Sequence, residues 1–342
     1  MSNLARKKLS DLSYSVLDLV PVLKGGSAGD SIKNTVDLAR HAEGWGYKRY
    51  WMAEHHNNPG IASSATPVLI GHVAAHTTTI RVGSGGVMLP NHSSLVVAEQ
   101  FGTLETMFPE RIDLGLGRAP GTDQLTARAL RRDYSGDGQD FPEQLAELRA
   151  YFQSEKQAEQ MSVRAIPGQG LQIPIWLLGS SGFSAQLAGL LGLPFSFASH
   201  FSPENTLPAL ALYRNSFQPS DVLEKPYSMV CVNVIAADSD EEAWKLATTL
   251  QQYHLNIIRN TRGPLEPPVD NIDSICNGYE KAYLEQKLAR SIIGGPDTIK
   301  AQLERFLEET QAEEIMINSQ IYDHKARLHS FEIVADILND RQ

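Results

Sequence analysis

Cysteine is nearly absent: Cys231 and Cys276 are the two in a chain of 342 residues. Neither has a second cysteine nearby. That excludes a disulfide framework and a thiolate metal centre, and it fits a reducing compartment, the cytoplasm. Long apolar runs are missing as well. None approaches the roughly 20 residues that a membrane helix needs. The basic N-terminus leads into residues 4–16, where charge interrupts any signal-like apolar core. Basic charge is also scarce. Thirty Lys and Arg against forty Asp and Glu leave a net charge of −10, no footprint for nucleic acid or an anionic membrane. The densest basic points, Arg6-Lys7-Lys8 and Arg131-Arg132, are short enough to be solvated surface or single anion contacts. Nucleotide fingerprints are lacking too. In residues 115–121 (GLGRAPG) the third glycine comes one place late for a dinucleotide loop and Pro120 interrupts, and there is no Walker A sequence.

What the chain does have is alternation. Short apolar runs at 14–19 (YSVLDL), 48–53 (KRYWMA), 80–86, 111–117 (RIDLGLG), 174–178 (PIWLL), 195–199, 227–236 and 314–318 (EIMIN) read as eight strands. Segments with helical spacing separate them, such as 30–43, where Asp30 or Ser31 can cap and Gly44 and Gly46 end the helix. Two polar excursions interrupt the rhythm. Residues 118–170 hold one helix near 142–152 and loop around 136–138, and residues 260–290 form a second polar stretch. Eight strand–helix repeats in 342 residues, with no Pro/Gly/Ser linker, predict one domain over 1–342. Its class is α/β, a closed (β/α)₈ TIM barrel with insertions after strands four and seven. Two smaller domains are the alternative.

Such a barrel carries its site at the C-terminal ends of the strands, and the chemically loaded residues fall there. Glu54-His55-His56 follow strand two, Gly85-Gly86 end strand three, and Gly117-Arg118 end strand four. Gly179-Ser180-Ser181 follow strand five, and His200-Phe201 follow strand six. The paired glycines remove two β-carbons from one patch of wall, so a flat ring can lie on bare backbone; a β-bulge is the competing reading. The loop GSSGFS, with Gly179, Ser180, Ser181 and Ser184, opens a helix and suits a phosphate, or is a plain serine cap. Its rival, residues 294–297 (GGPD), carries Asp297, which would repel a phosphate. Arg118 suits a phosphate or substrate anion, or pairs with Asp113, Asp123 or another carboxylate. Adjacent His55 and His56 point to opposite sides and do not make a metal pair. His72 and His76 share a helix face that packs away from the strands, and no metal is expected. His55 suits proton transfer. Asp18 faces either the mouth or a neighbouring loop. Trp45, Tyr47, Tyr50 and Trp51 are at least partly packing.

Several segments together resemble one family. They are 47–65 (YKRYWMAEHHNNPGIASSA), 81–92 (RVGSGGVMLPNH), 99–105 (EQFGTLE), 111–123 (RIDLGLGRAPGTD) and 177–185 (LLGSSGFSA). In this order they look like the bacterial luciferase-like flavin monooxygenases, over nearly the whole chain. The resemblance implies a barrel that uses reduced FMN (FMNH2), supplied by a separate flavin reductase, with O2 on a small organic substrate. It implies a non-proline cis peptide at Gly85–Gly86, with Val87 beside it, beneath the flavin. It further implies oxygen chemistry at His55, and a phosphate held by Arg118 with Gly179, Ser180, Ser181 and Ser184. A homodimer is expected by the same resemblance. Where luciferase has a reactive cysteine and a phosphate-loop glutamate, this chain has Gly117 and Ser180, which counts against light emission and long-chain aldehyde oxidation. An F420-dependent hydride-transfer enzyme on the same barrel and a non-catalytic flavin-binding protein are the alternatives.

Overall fold

A computed structural model describes residues 7–119, 123–130, 138–154, 156 and 162–340. Arg6, Arg131, Arg132 and the loop read at residues 136–137 lie outside the described residues. Ten parallel strands appear: β1 (Ser13–Asp18), β2 (Arg49–Met52), β3 (Arg81–Ser84), β4 (Val87–Met88), β5 (Ile112–Gly117), β6 (Ile175–Gly179), β7 (Phe195–Ala198), β8 (Ser228–Ala236), β9 (Ile292–Gly294) and β10 (Glu314–Asn318). β10 pairs with both β1 and β8, which closes the ring. The barrel is therefore the expected eight-stranded one. The third stave is split in two, because the chain breaks at Gly85–Gly86 before β4 pairs with β5. β9 is a short addition that pairs only with the outer end of β8.

Helices alternate with these strands. α1 (Ala28–Trp45) starts at a reciprocal capping box in which Ser27 is the cap and Asp30 the third residue, and it ends at left-handed Gly46. The expected cap at Asp30 or Ser31 is thus three or four residues late. α2 (Thr66–Ala75) and α3 (Ser94–Met107) follow. The first excursion holds α4 (Gln124–Leu130) as well as the expected helix, α5 (Phe141–Tyr151). α6 (Gly182–Leu190), α7 (Thr206–Ser216) and α8 (Asp240–Ile258) come next. The second polar excursion contains α9 (Gly278–Lys287), started by a capping box between Asn277 and Glu280. α10 (Pro296–Thr310) and α11 (His324–Leu338) complete the shell.

The barrel interior is layered along its axis. At the N-terminal end of the strands lies a charged plug. Arg49 of β2 donates to Asp113 of β5 at 2.7 Å and to Glu314 of β10 at 3.0 Å. Arg81 and the Trp51 indole also bond Asp113, at 2.8 and 3.0 Å, and the Tyr227 and Ser15 hydroxyls bond Glu314. Above the plug, Trp51, Trp176, Leu17, Met229, Cys231 and Met316 form an apolar layer, with the two indoles edge-to-face at 5.3 Å. The cleft opens above that layer. A separate, larger apolar shell packs the outward faces of the strands against the helices.

Candidate active site

The mouth of the barrel holds a cleft of about 530 Å³. It brings together His55, Gly85, Gly86, Arg118, Gly179, Ser180, Ser181 and Ser184, all expected from sequence. Val87 is not among the lining residues. Its side chain is buried in the outer shell and its backbone pairs with Leu116.

The Gly85–Gly86 peptide is cis. A β-carbon on Gly85 would stand 2.7 Å from Leu17 Cδ1, and one on Gly86 would stand 2.8 Å from the Gly115 carbonyl oxygen. Backbone of the wall therefore holds Gly86 to glycine, whereas a β-carbon on Gly85 would press on the flexible end of Leu17. Any side chain at Gly86 must displace the Gly115 carbonyl, which belongs to the barrel wall. The peptide planes of both glycines nevertheless form part of the cleft wall.

At one end of the cleft, α6 begins after Ser181 with no side-chain cap of its own. Arg118 lies over the Phe183 ring at 4.2 Å. Neither carboxylate weighed for it is available. Asp113 is committed to the plug, and Asp123 accepts from the Thr126 hydroxyl at 2.7 Å. No carboxylate pairs with Arg118 among the described residues. The rival loop at 294–297 is filled by a different residue: Asp240 accepts from the Gly295 N–H at 2.7 Å and from the Thr298 hydroxyl at 3.0 Å.

Three imidazoles face the cleft: His55, His200 and His254. Burial lowers the His55 pKa, helped by the charges of Arg262 and His56 and opposed by Glu54. Burial, with His254 and His55 nearby, brings His200 down to about 3. Burial and the Lys287 charge bring His254 to about 4. The Nδ1 atoms of His55 and His200 are buried without a hydrogen-bond partner, an arrangement that awaits a polar ligand atom. His254, near the C-terminal end of α8, gave no sequence signal.

Beneath His55 sits a cluster that sequence reading missed. Glu54 Oε1 takes hydrogen bonds from both His56 and His92, each at 2.8 Å, and Oε2 takes the Met88 N–H at 3.1 Å. Burial pushes the Glu54 carboxyl up, but these bonds outweigh it and hold it at about 2. The three side chains are close enough to surround a cation; as they stand, the two imidazoles and the N–H satisfy the carboxylate. Glu54 thereby ties the β2 end to the chain just after the paired glycines. Asp18, left open between mouth and loop, is structural: buried, it bonds Thr35, Tyr50 and Arg327 at 2.6, 2.6 and 2.9 Å. His72 and His76 are exposed and edge-to-face at 4.5 Å.

A closed parallel barrel with a deep cleft at the strand C-terminal ends, lined by the ends of several strands, defines a class, the (β/α)₈-barrel enzymes. Within that class the chain belongs to the luciferase-like monooxygenase family, which residues 13–314 match. It is 54% identical to a luciferase-like monooxygenase of Escherichia coli K12, over 95% of this chain and 97% of that one. It is 33% identical to the N-acetyl-S-alkylcysteine monooxygenase of Bacillus subtilis, over 95% and 98%. The crystal structure of apo-MsnO8 matches with a TM-score of 0.85 at 33% identity, covering 95% of this chain and 98% of that one. More distant solved structures of this fold, at 18% and 12% identity, hold FMN in one case and an F420–acetone adduct in the other.

Proposed function

We propose that this chain is one catalytic domain that uses reduced FMN and O2 to oxygenate a small organic substrate in the cytoplasm, as a homodimer fed by a separate flavin reductase. The cleft carries this reading. One end has donors and no carboxylate, the middle is bare backbone, and the far side is a neutral histidine with an unspent Nδ1. A phosphorylated planar cofactor fits that sequence of surfaces. Arg118 and Ser180, Ser181 and Ser184 would hold the phosphate, with the N-terminus of α6 adding its dipole. The backbone of Gly85 and Gly86 would take the ring. Bound reduced FMN supplies the electrons for oxygen activation. His55, kept neutral by burial, would move a proton at Nδ1. Leu17, Ala53, Leu178 and Met316 would keep water from the reacting face.

Titration of the apo protein with FMN and with F420, followed by oxygen uptake with reduced FMN and candidate substrates, tests this. N-acetyl-S-alkylcysteines, the substrates in the name of the Bacillus subtilis relative, come first in that panel. FMN is expected to bind at least tenfold tighter than F420. The reverse order would replace the monooxygenase with an F420-dependent hydride-transfer enzyme. Tight FMN binding with no substrate-dependent oxygen use would indicate a flavin store.

A further inference from the structure

The protein carries a net charge of −10, yet the charged side chains that line its mouth among the described residues are cations. Arg118 and Lys287 border the main cleft, and Arg262 borders a second cavity of about 200 Å³ that shares His55, Tyr253 and Ile257 with it. No aspartate or glutamate lines either cavity among the described residues. Such a wall costs electrostatic free energy until anions fill it.

Two of the three cations are accounted for. Arg118 stands beside the serine loop at the phosphate end. Lys287 lies 3.9 Å from the Glu204 carboxylate and 3.4 Å from the Phe201 carbonyl oxygen. Arg262, on the exposed rim, makes no hydrogen bond or ion pair among the described residues. Two amide side chains, Asn58 and Asn256, line the small cavity with it. Both have their oxygens engaged: Asn58 Oδ1 accepts the Gly60 N–H at 2.9 Å, and Asn256 Oδ1 accepts the Thr261 hydroxyl at 3.3 Å. Their Nδ2 groups, donors only, make no hydrogen bond among the described residues. A guanidinium and two amide donors beside an apolar cleft make a receptor for an oxyanion.

We propose that Arg262, Asn58 and Asn256 form a subsite for the anionic head, a carboxylate or sulfonate, of the small organic substrate. This places the substrate's apolar body over His55, towards Ile257 and the cleft. The inference rests on the reading that the neighbouring cleft is the reaction site and narrows its substrates to organic acids. The Arg262 charge already reaches His55 and helps lower its pKa, so neutralising that charge with a bound anion would ease proton uptake at His55.

The test is calorimetric titration of the apo protein with a panel of straight-chain and aryl carboxylates and sulfonates, each against its own neutral amide. Acids are expected to bind at least tenfold tighter than their amides. Arg262→Gln should abolish that preference, and Arg262→Lys should keep most of it. Because Arg262 is an exposed loop residue, an unchanged melting temperature is expected for both variants. FMN affinity should also be unchanged. No acid-over-amide preference anywhere in the panel overturns the proposal, and so does a preference that Arg262→Gln leaves intact. If acids bind as expected but FMN does not, the anion subsite stands and the flavin reading falls.

Discussion

His55, His200 and His254 share one wall of the cleft, and burial keeps them neutral. That neutrality has a measurable consequence for stability. An unfolded histidine titrates near 6.5, whereas folded His200 titrates at about 3. Below pH 6.5 the unfolded chain therefore binds a proton that the folded chain refuses. The contribution is fully present above 6.5 and is lost as pH falls towards 3, at about 1.4 kcal/mol per pH unit. Between pH 6.5 and 5 His200 alone should remove about 2 kcal/mol. Urea unfolding of the apo protein across this range measures the slope, and His200→Asn should flatten it by about one proton. An identical slope in that variant would mean that His200 titrates normally. Sequence reading found His200 at a strand end and could not assign it. Its environment is supplied by α8, 54 residues downstream at His254, and no local pattern carries that.

Among the elements, the split third stave and the start of α6 set the two sides of the cleft. Gly86→Ala should destabilise the barrel by about 1–3 kcal/mol, because the added β-carbon meets the Gly115 carbonyl, which is part of the barrel wall. A urea midpoint equal to the parent protein's would show that the wall can give. At the other side, Arg118→Gln should weaken FMN binding 10–100-fold while leaving riboflavin, which lacks the phosphate, within threefold. Equal losses for both ligands would take Arg118 off the phosphate. The eight strands and most helices were legible because each is a local, periodic signal. α9 was not, because its Asn277–Glu280 capping box lies in a polar stretch with little apolar periodicity. The strand-end residues were legible for a topological reason: the barrel gathers all eight ends at one mouth. The Glu54–His56–His92 cluster was not, because His92 arrives from across the β4 turn.

At the scale of the whole molecule, two buried ionic sets close the ring. Arg49 with Asp113 and Glu314 joins β2, β5 and β10 across the interior. Asp18 with Arg327 locks the end of β1 to α11, 309 residues away. Asp18→Asn would leave the buried Arg327 guanidinium facing a neutral amide, and it should cost about 3–5 kcal/mol in the urea-unfolding free energy. A loss below 1 kcal/mol would show that Arg327 finds water or another acceptor. None of these partners is near another in sequence, so the closure could be expected from strand count but not from side chains. A mouth with no carboxylate among its described residues, in an acidic molecule, bears on the kinetics of ligand capture. A dianion such as FMN meets net repulsion at a distance and attraction only within the last few ångströms. Salt shortens the reach of the first, with a Debye length falling from about 30 Å at 0.01 M to about 10 Å at 0.1 M, and weakens the second less. Stopped-flow association of FMN should therefore quicken as ionic strength rises over that range, whereas a site with cationic steering slows down.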